Sequence, residues 1–76
     1  MRIPTRDEIE SLKKMYPKGT VVELDHMDDP QAPVPGTRLT VDHIDDMGQI
    51  WTKEIGLALV PGVDRFHKIS WGIIYA

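Results

Sequence analysis

The sequence predicts a mainly β domain: a small SH3-like antiparallel barrel of about five strands, preceded by one N-terminal α-helix. Three observations lead there. Apolar residues recur every three or four positions before Gly19 and every second position after it, which is the change from helical to strand periodicity. Glycines and prolines then divide the remaining chain into five strand-length runs, bracketed by turn chemistry. One helix followed by five short, closely linked strands is the element pattern of a small barrel.

The helix is expected over residues 6–15. Thr5 followed by Glu8 is a capping-box pair, in which each side chain can satisfy the other's free backbone N–H. Ile9, Leu12, Met15 and Tyr16 fall on one face, the spacing of an amphipathic helix. Pro17 ends it, because the residue before a proline is pushed out of the α region.

In "TVVEL" (20–24), Val22 and Leu24 share one face, and Val21 and Glu23 the other. "RLTVDHI" (38–44) alternates Leu39 and Val41 against Arg38, Thr40 and Asp42. "QIWTK" (49–53) follows a link ending in Gly48, a residue able to take the positive φ of a hairpin turn. "LALV" (57–60) stops at Pro61-Gly62, and "FHKISW" (66–71) is the last alternating run. Between the first two strands, "DHMDDPQAPVPG" (25–36) carries three prolines. Each removes a backbone donor and locks φ, so this segment is a stiff loop rather than a strand.

A chain of 76 residues holds one domain, here 1–76 with barrel 19–71 and tail 72–76, and buries only about 60% of its unfolded surface. With 41% apolar and 28% charged residues, the composition is that of a globular protein. The lack of cysteine excludes disulfides, thiolate zinc ribbons and thiol nucleophiles, and suits a reducing cytoplasm. Its longest apolar run, "LALV", is far short of the ~20 residues of a membrane span. A net charge of −3 disfavours nucleic acid as a partner, since polyanion binders are normally basic.

Acidic residues gather at the first loop (Glu23, Asp25, Asp28, Asp29) and on the second strand and its hairpin (Asp42, Asp45, Asp46). One reading is a cation site, although the spacing is not that of an EF-hand loop. The other is turn capping, the ordinary work of aspartate. His26, His43 and His67 match no short-spaced ligand pair. Ser11 and Ser70 sit in no nucleophile-elbow pattern. Trp51-Thr52-Lys53 and Arg65-Phe66-His67-Lys68 faintly resemble the aromatic and basic interleaving of single-strand binders, against the plainer role of filling a small core. The apolar, uncharged "SWGIIYA" (70–76) reads either as a final barrel strand or as an edge inviting a second copy.

The strings "YPKGT" (16–20), "MDDPQAPVPGT" (27–37), "DDMGQI" (45–50) and "LALVPGVDRF" (57–66) resemble a small uncharacterised bacterial domain family, a domain of unknown function often encoded in phages and mobile elements. The likeness runs from Tyr16 to Lys68. It implies an SH3-like barrel and brings no activity or catalytic residue. The chain departs from the family at "WTKEIG" (51–56), where a tryptophan-aspartate-asparagine-glycine turn is usual, and at Arg38-Leu39, where glycine and threonine are.

The function expected from these readings is a non-catalytic, cytoplasmic protein-binding module, encoded by a phage or mobile element. Asp25, His26, Asp28, Asp29, Asp45, Asp46 and Trp51 would meet a basic partner surface, for instance that of a host defence protein. No cofactor or metal is implied. The alternatives are a nucleic-acid-binding accessory domain using Trp51 and Phe66 to Lys68, and a cation-binding domain at the acidic loop.

Overall fold

A computed structural model describes residues 3–69. Helix α1 (Arg6–Met15) is followed by β1 (Val21–His26), β2 (Arg38–Ile44), β3 (Ile50–Thr52), β4 (Ala58–Leu59) and β5 (Arg65–Lys68). The helix begins and ends where local chemistry predicts. Thr5 Oγ1 accepts from the Glu8 N–H while Glu8 Oε1 accepts from the Thr5 N–H, so the capping box is complete.

All strand pairs are antiparallel, in the order β4-β3-β2-β1-β5. The expected fold class, one helix and then five antiparallel strands, is what the structure shows. The sheet is unclosed: β4 and β5 are its two edges and are not hydrogen-bonded to each other. Ser70 to Ala76 lie outside the described residues, and with them the expected last strand or dimer edge. None of the described helices is long and apolar enough to cross a membrane.

The core is the inward face of this sheet: Val22 and Leu24 from β1, Leu39, Val41 and Ile44 from β2, Ile50 from β3 and Leu59 from β4. Leu12 and Tyr16 of the helix, with Met27, Ile55 and Phe66, pack against it. Two irregularities decide which residues face in. In β1 the register against β5 shifts between Leu24 and His26, and in β2 the register against β3 shifts between Val41 and His43. A bulge inserts one residue and resets the alternation. Strict alternation would turn His26 and His43 inward; instead both are exposed, and Ile44 joins the core.

Gly48 shows why the helix sits where it does. It is buried with φ +76°, and a Cβ there would lie 3.0 Å from Pro4 Cγ and 3.5 Å from Leu12 Cδ1. The β2–β3 hairpin thus meets Pro4 and Leu12 through a close approach that a Cβ would crowd, at a φ that favours glycine.

Candidate functional site

The connection between β1 and β2 spans residues 27–37, because β1 continues through Asp25 and His26, two residues beyond the expected loop start. Its base is pinned by a reciprocal pair: the Leu24 N–H donates to the Thr37 carbonyl at 2.9 Å, and the Gly36 N–H to the Leu24 carbonyl at 2.7 Å. Gly36 has φ +92°, a conformation that costs other residues strain. Within the loop, Asp29 accepts from the Gln31 N–H at 2.8 Å, and its carbonyl from the Ala32 N–H at 3.0 Å. Thr37 Oγ1 donates to the Val34 carbonyl at 2.6 Å. Pro30, Pro33 and Pro35 remove further backbone freedom. Its outer surface carries Asp28 and Asp29, with Val34 74% exposed at its apolar tip. Among the described residues Asp28 forms no hydrogen bond or ion pair.

The acidic residues of the loop and those of the β2–β3 hairpin do not converge. The 27–37 loop enters β2 at Arg38, whereas Asp45 and Asp46 follow its other end at Ile44. Seven strand residues separate the two groups by about 23 Å at ~3.3 Å per residue. Asp45 is occupied internally. One oxygen accepts from the Met47 and Gln49 N–H groups, both at 2.9 Å, and the other from the Trp51 indole N–H at 2.8 Å. Partial burial raises its pKa, but the Trp51, Gln49 and Met47 donors outweigh that and hold it below the ordinary carboxylate value. Trp51 also stacks on His43 at 6.2 Å. So Asp45 and Trp51 build the hairpin, and Asp46 is exposed beside it.

The residues of the nucleic-acid reading are engaged within the fold. Phe66 meets the edge of Tyr16 at 5.7 Å. Lys68 Nζ donates to the Met15 carbonyl at 2.8 Å, at the C-terminus of α1, and lies 5.5 Å from the Tyr16 ring centre. There the ammonium satisfies a helix-end carbonyl and complements the helix dipole.

Asp25 and His67 meet on the outer face of β1 and β5. Glu23 and Asp25 are two positions apart, and His67 stands opposite Glu23 in the ladder. His67 Nδ1 lies 2.9 Å from Asp25 Oδ2, and Nε2 lies 3.8 Å from Glu23 Oε2. The Asp25 hydrogen bond, opposed by slight desolvation and aided by both negative charges, raises the His67 pKa. On the far side Arg38 Nε is 3.6 Å from Glu23 Oε1. His26, beyond the bulge, is exposed. The two-residue spacing of Glu23 and Asp25 could have been read as a shared face; their meeting with His67 has no local sequence signal.

A groove of about 440 Å³ also escapes sequence reasoning. It runs between α1, the β2–β3 hairpin and the β4–β5 connection, lined by Leu12, Met15, Met47, Val60, Pro61 and Val63 among others. Met15, Met47 and Val63 are among the most exposed large apolar side chains described.

The sequence profile of a family described as a domain of unknown function (DUF4314) matches residues 5–69. No curated protein and no solved structure matches the chain.

Proposed function

We propose that this chain, which belongs to the DUF4314 family, is a non-catalytic module that binds a basic protein surface through its 27–37 loop. The observation that carries this reading is the loop's own order. A segment pinned by backbone bonds and three prolines loses little conformational freedom on binding, which is where much of the cost of association otherwise lies. It presents an apolar side chain, Val34, on the same loop as the Asp28 and Asp29 carboxylates. Apolar contact at the centre with polar and charged groups at the rim is the common layout of a protein interface. The carboxylates steer encounter and select against acidic partners more than they add affinity.

The site is narrower than the sequence reading, which also enlisted Asp25 and His26, now on β1, and Asp45, Asp46 and Trp51. Asp45 and Trp51 are spent on the hairpin, and Asp46 lies at the far end of β2. The nucleic-acid reading loses support because Phe66 and Lys68 are turned to the helix. The proposed setting is the cytoplasm of a bacterial cell carrying a phage or mobile element, with a host nucleic-acid-binding protein as a fitting basic target. That setting rests on the resemblance in "MDDPQAPVPGT".

A pull-down from bacterial lysate at low salt tests the proposal, with protein and nucleic acid quantified in one eluate. A specific basic protein should be retained, and changing Asp28 and Asp29 together to Asn should weaken it at least tenfold. Val34→Ser should weaken it further, mainly through faster dissociation. Retention unaffected by the double change but abolished by Val63→Glu would move the site to the apolar groove and overturn the proposal. Nucleic acid retained after removal of all bound protein would overturn it in favour of the nucleic-acid reading.

A further inference from the structure

We infer that Glu23, Asp25 and His67 form a binding site for one divalent transition-metal ion of the zinc class, a property separate from partner binding by the loop. One donor atom from each of these side chains lies within 4.8 Å of the other two. Two of the three positions come from paired strand backbone, Glu23 on β1 and its ladder partner His67 on β5, and Asp25 is the bulged residue of β1 two positions on. Donors mounted on paired strands hold their geometry better than donors on loops.

The distances suit the ion. Ligands about 2.0–2.2 Å from a tetrahedral zinc stand roughly 3.3–3.5 Å from one another. The two carboxylates face different nitrogens of the ring, Asp25 Oδ2 at 2.9 Å from Nδ1 and Glu23 Oε2 at 3.8 Å from Nε2; one ion takes a single nitrogen, so the three donors, within 4.8 Å of one another, must draw together about it. Small side-chain rotations close the difference. All three side chains are partly exposed, so water can fill the remaining coordination position.

The donor set selects the metal. One imidazole with two carboxylates suits zinc and its first-row neighbours. Calcium and magnesium prefer all-oxygen shells, so an imidazole among the three donors disfavours both. Arg38 approaches Glu23 through Oε1, whereas Oε2 is the oxygen that faces His67.

Calorimetric titration of the untagged chain with Zn²⁺, repeated with Ca²⁺ and Mg²⁺, tests this inference. One Zn²⁺ per chain should bind saturably and raise the melting temperature by mass action, with no comparable effect from Ca²⁺ or Mg²⁺. His67→Gln and Glu23→Gln should each weaken Zn²⁺ at least tenfold, whereas His26→Gln and His43→Gln should leave it unchanged. The visible absorption of bound Co²⁺ should vanish in the His67 variant. Because these side chains are at the surface, circular dichroism should show every variant folded; if His67→Gln is not, Asp25→Asn provides the same test. Absence of saturable Zn²⁺ binding, or equal loss with His26→Gln or His43→Gln, would overturn the site. So would a preference for Ca²⁺.

Discussion

Thr52 is the one buried polar residue described, 7% exposed, and its Oγ1 has no hydrogen-bond partner among the described residues. It follows Ile50 on the inward face of β3 and pairs with Val41 of β2, so its hydroxyl is directed at apolar neighbours. Leaving a buried hydroxyl unpaired costs about 1–3 kcal/mol. Thr52→Val replaces it with a methyl of the same shape, removes that cost and buries roughly 0.8 kcal/mol of further apolar surface. Threonine and valine are both favourable in strands, so the backbone preference changes little. Allowing for imperfect packing, the variant should be more stable by about 1–2 kcal/mol. For a domain this small each kcal/mol raises Tm by about 4–8 °C. Thermal melts and urea titrations read the effect, and an unchanged urea slope ensures that the folded and unfolded states remain comparable. Thr52→Ser is the control: it keeps the hydroxyl, loses the methyl and should be destabilised by about 1 kcal/mol. A Thr52→Val protein no more stable than the parent would refute the reasoning, because the hydroxyl would then have been satisfied all along.

Further perturbations probe the first loop and the β2–β3 hairpin. Gly36→Ala meets only backbone strain, since φ is +92° and no atom lies within 4 Å of the added Cβ; it should cost about 1–2 kcal/mol. Gly48→Ala has similar strain and also drives its Cβ to 3.0 Å from Pro4 Cγ, so urea titration should find it clearly the more costly of the two. Equal costs would mean that the start of α1 is not held against the hairpin. The Asp45 pKa is lowered in the fold, so its charged form contributes stability that is present above the unfolded value of about 3.9 and lost as pH falls through the folded value. Melting temperatures of the parent should therefore fall between about pH 5 and 3 more steeply than those of Asp45→Asn; parallel curves would contradict the assignment.

Much of the fold was legible because it is encoded locally. The capping box at Thr5 and Glu8 and the stop at Pro17 act within one or two turns, and α1 occupies the expected Arg6–Met15. Val22, Leu24, Leu39 and Val41 were readable as core from the two-residue period alone, and all are buried. Turn chemistry at Gly48 and Pro61-Gly62 separated the later strands correctly, although β4 keeps only Ala58–Leu59 of its expected run. The candidate site was less legible. The acids of the first loop and of the hairpin, read as one partner surface, lie at opposite ends of β2, and Asp45 proved to be turn architecture with Trp51. His26 and His43 were turned outward by bulges that leave no mark in the hydrophobic pattern.

The sequence by itself determined the helix, the turns, the proline-rich first loop and the inward faces of β1 and β2 up to their bulges. Those properties follow from dihedral limits and side-chain periodicity, which act between residues a few positions apart. Only the tertiary structure decided the strand order, the resetting of alternation at Asp25 and Asp42, the groove beside α1 and the meeting of Glu23 and Asp25 with His67. Each depends on the hydrogen-bond register between strands distant in the chain. That register is settled when all the inward faces share one core, because a slip of a single residue would turn a strand's buried side chains to water.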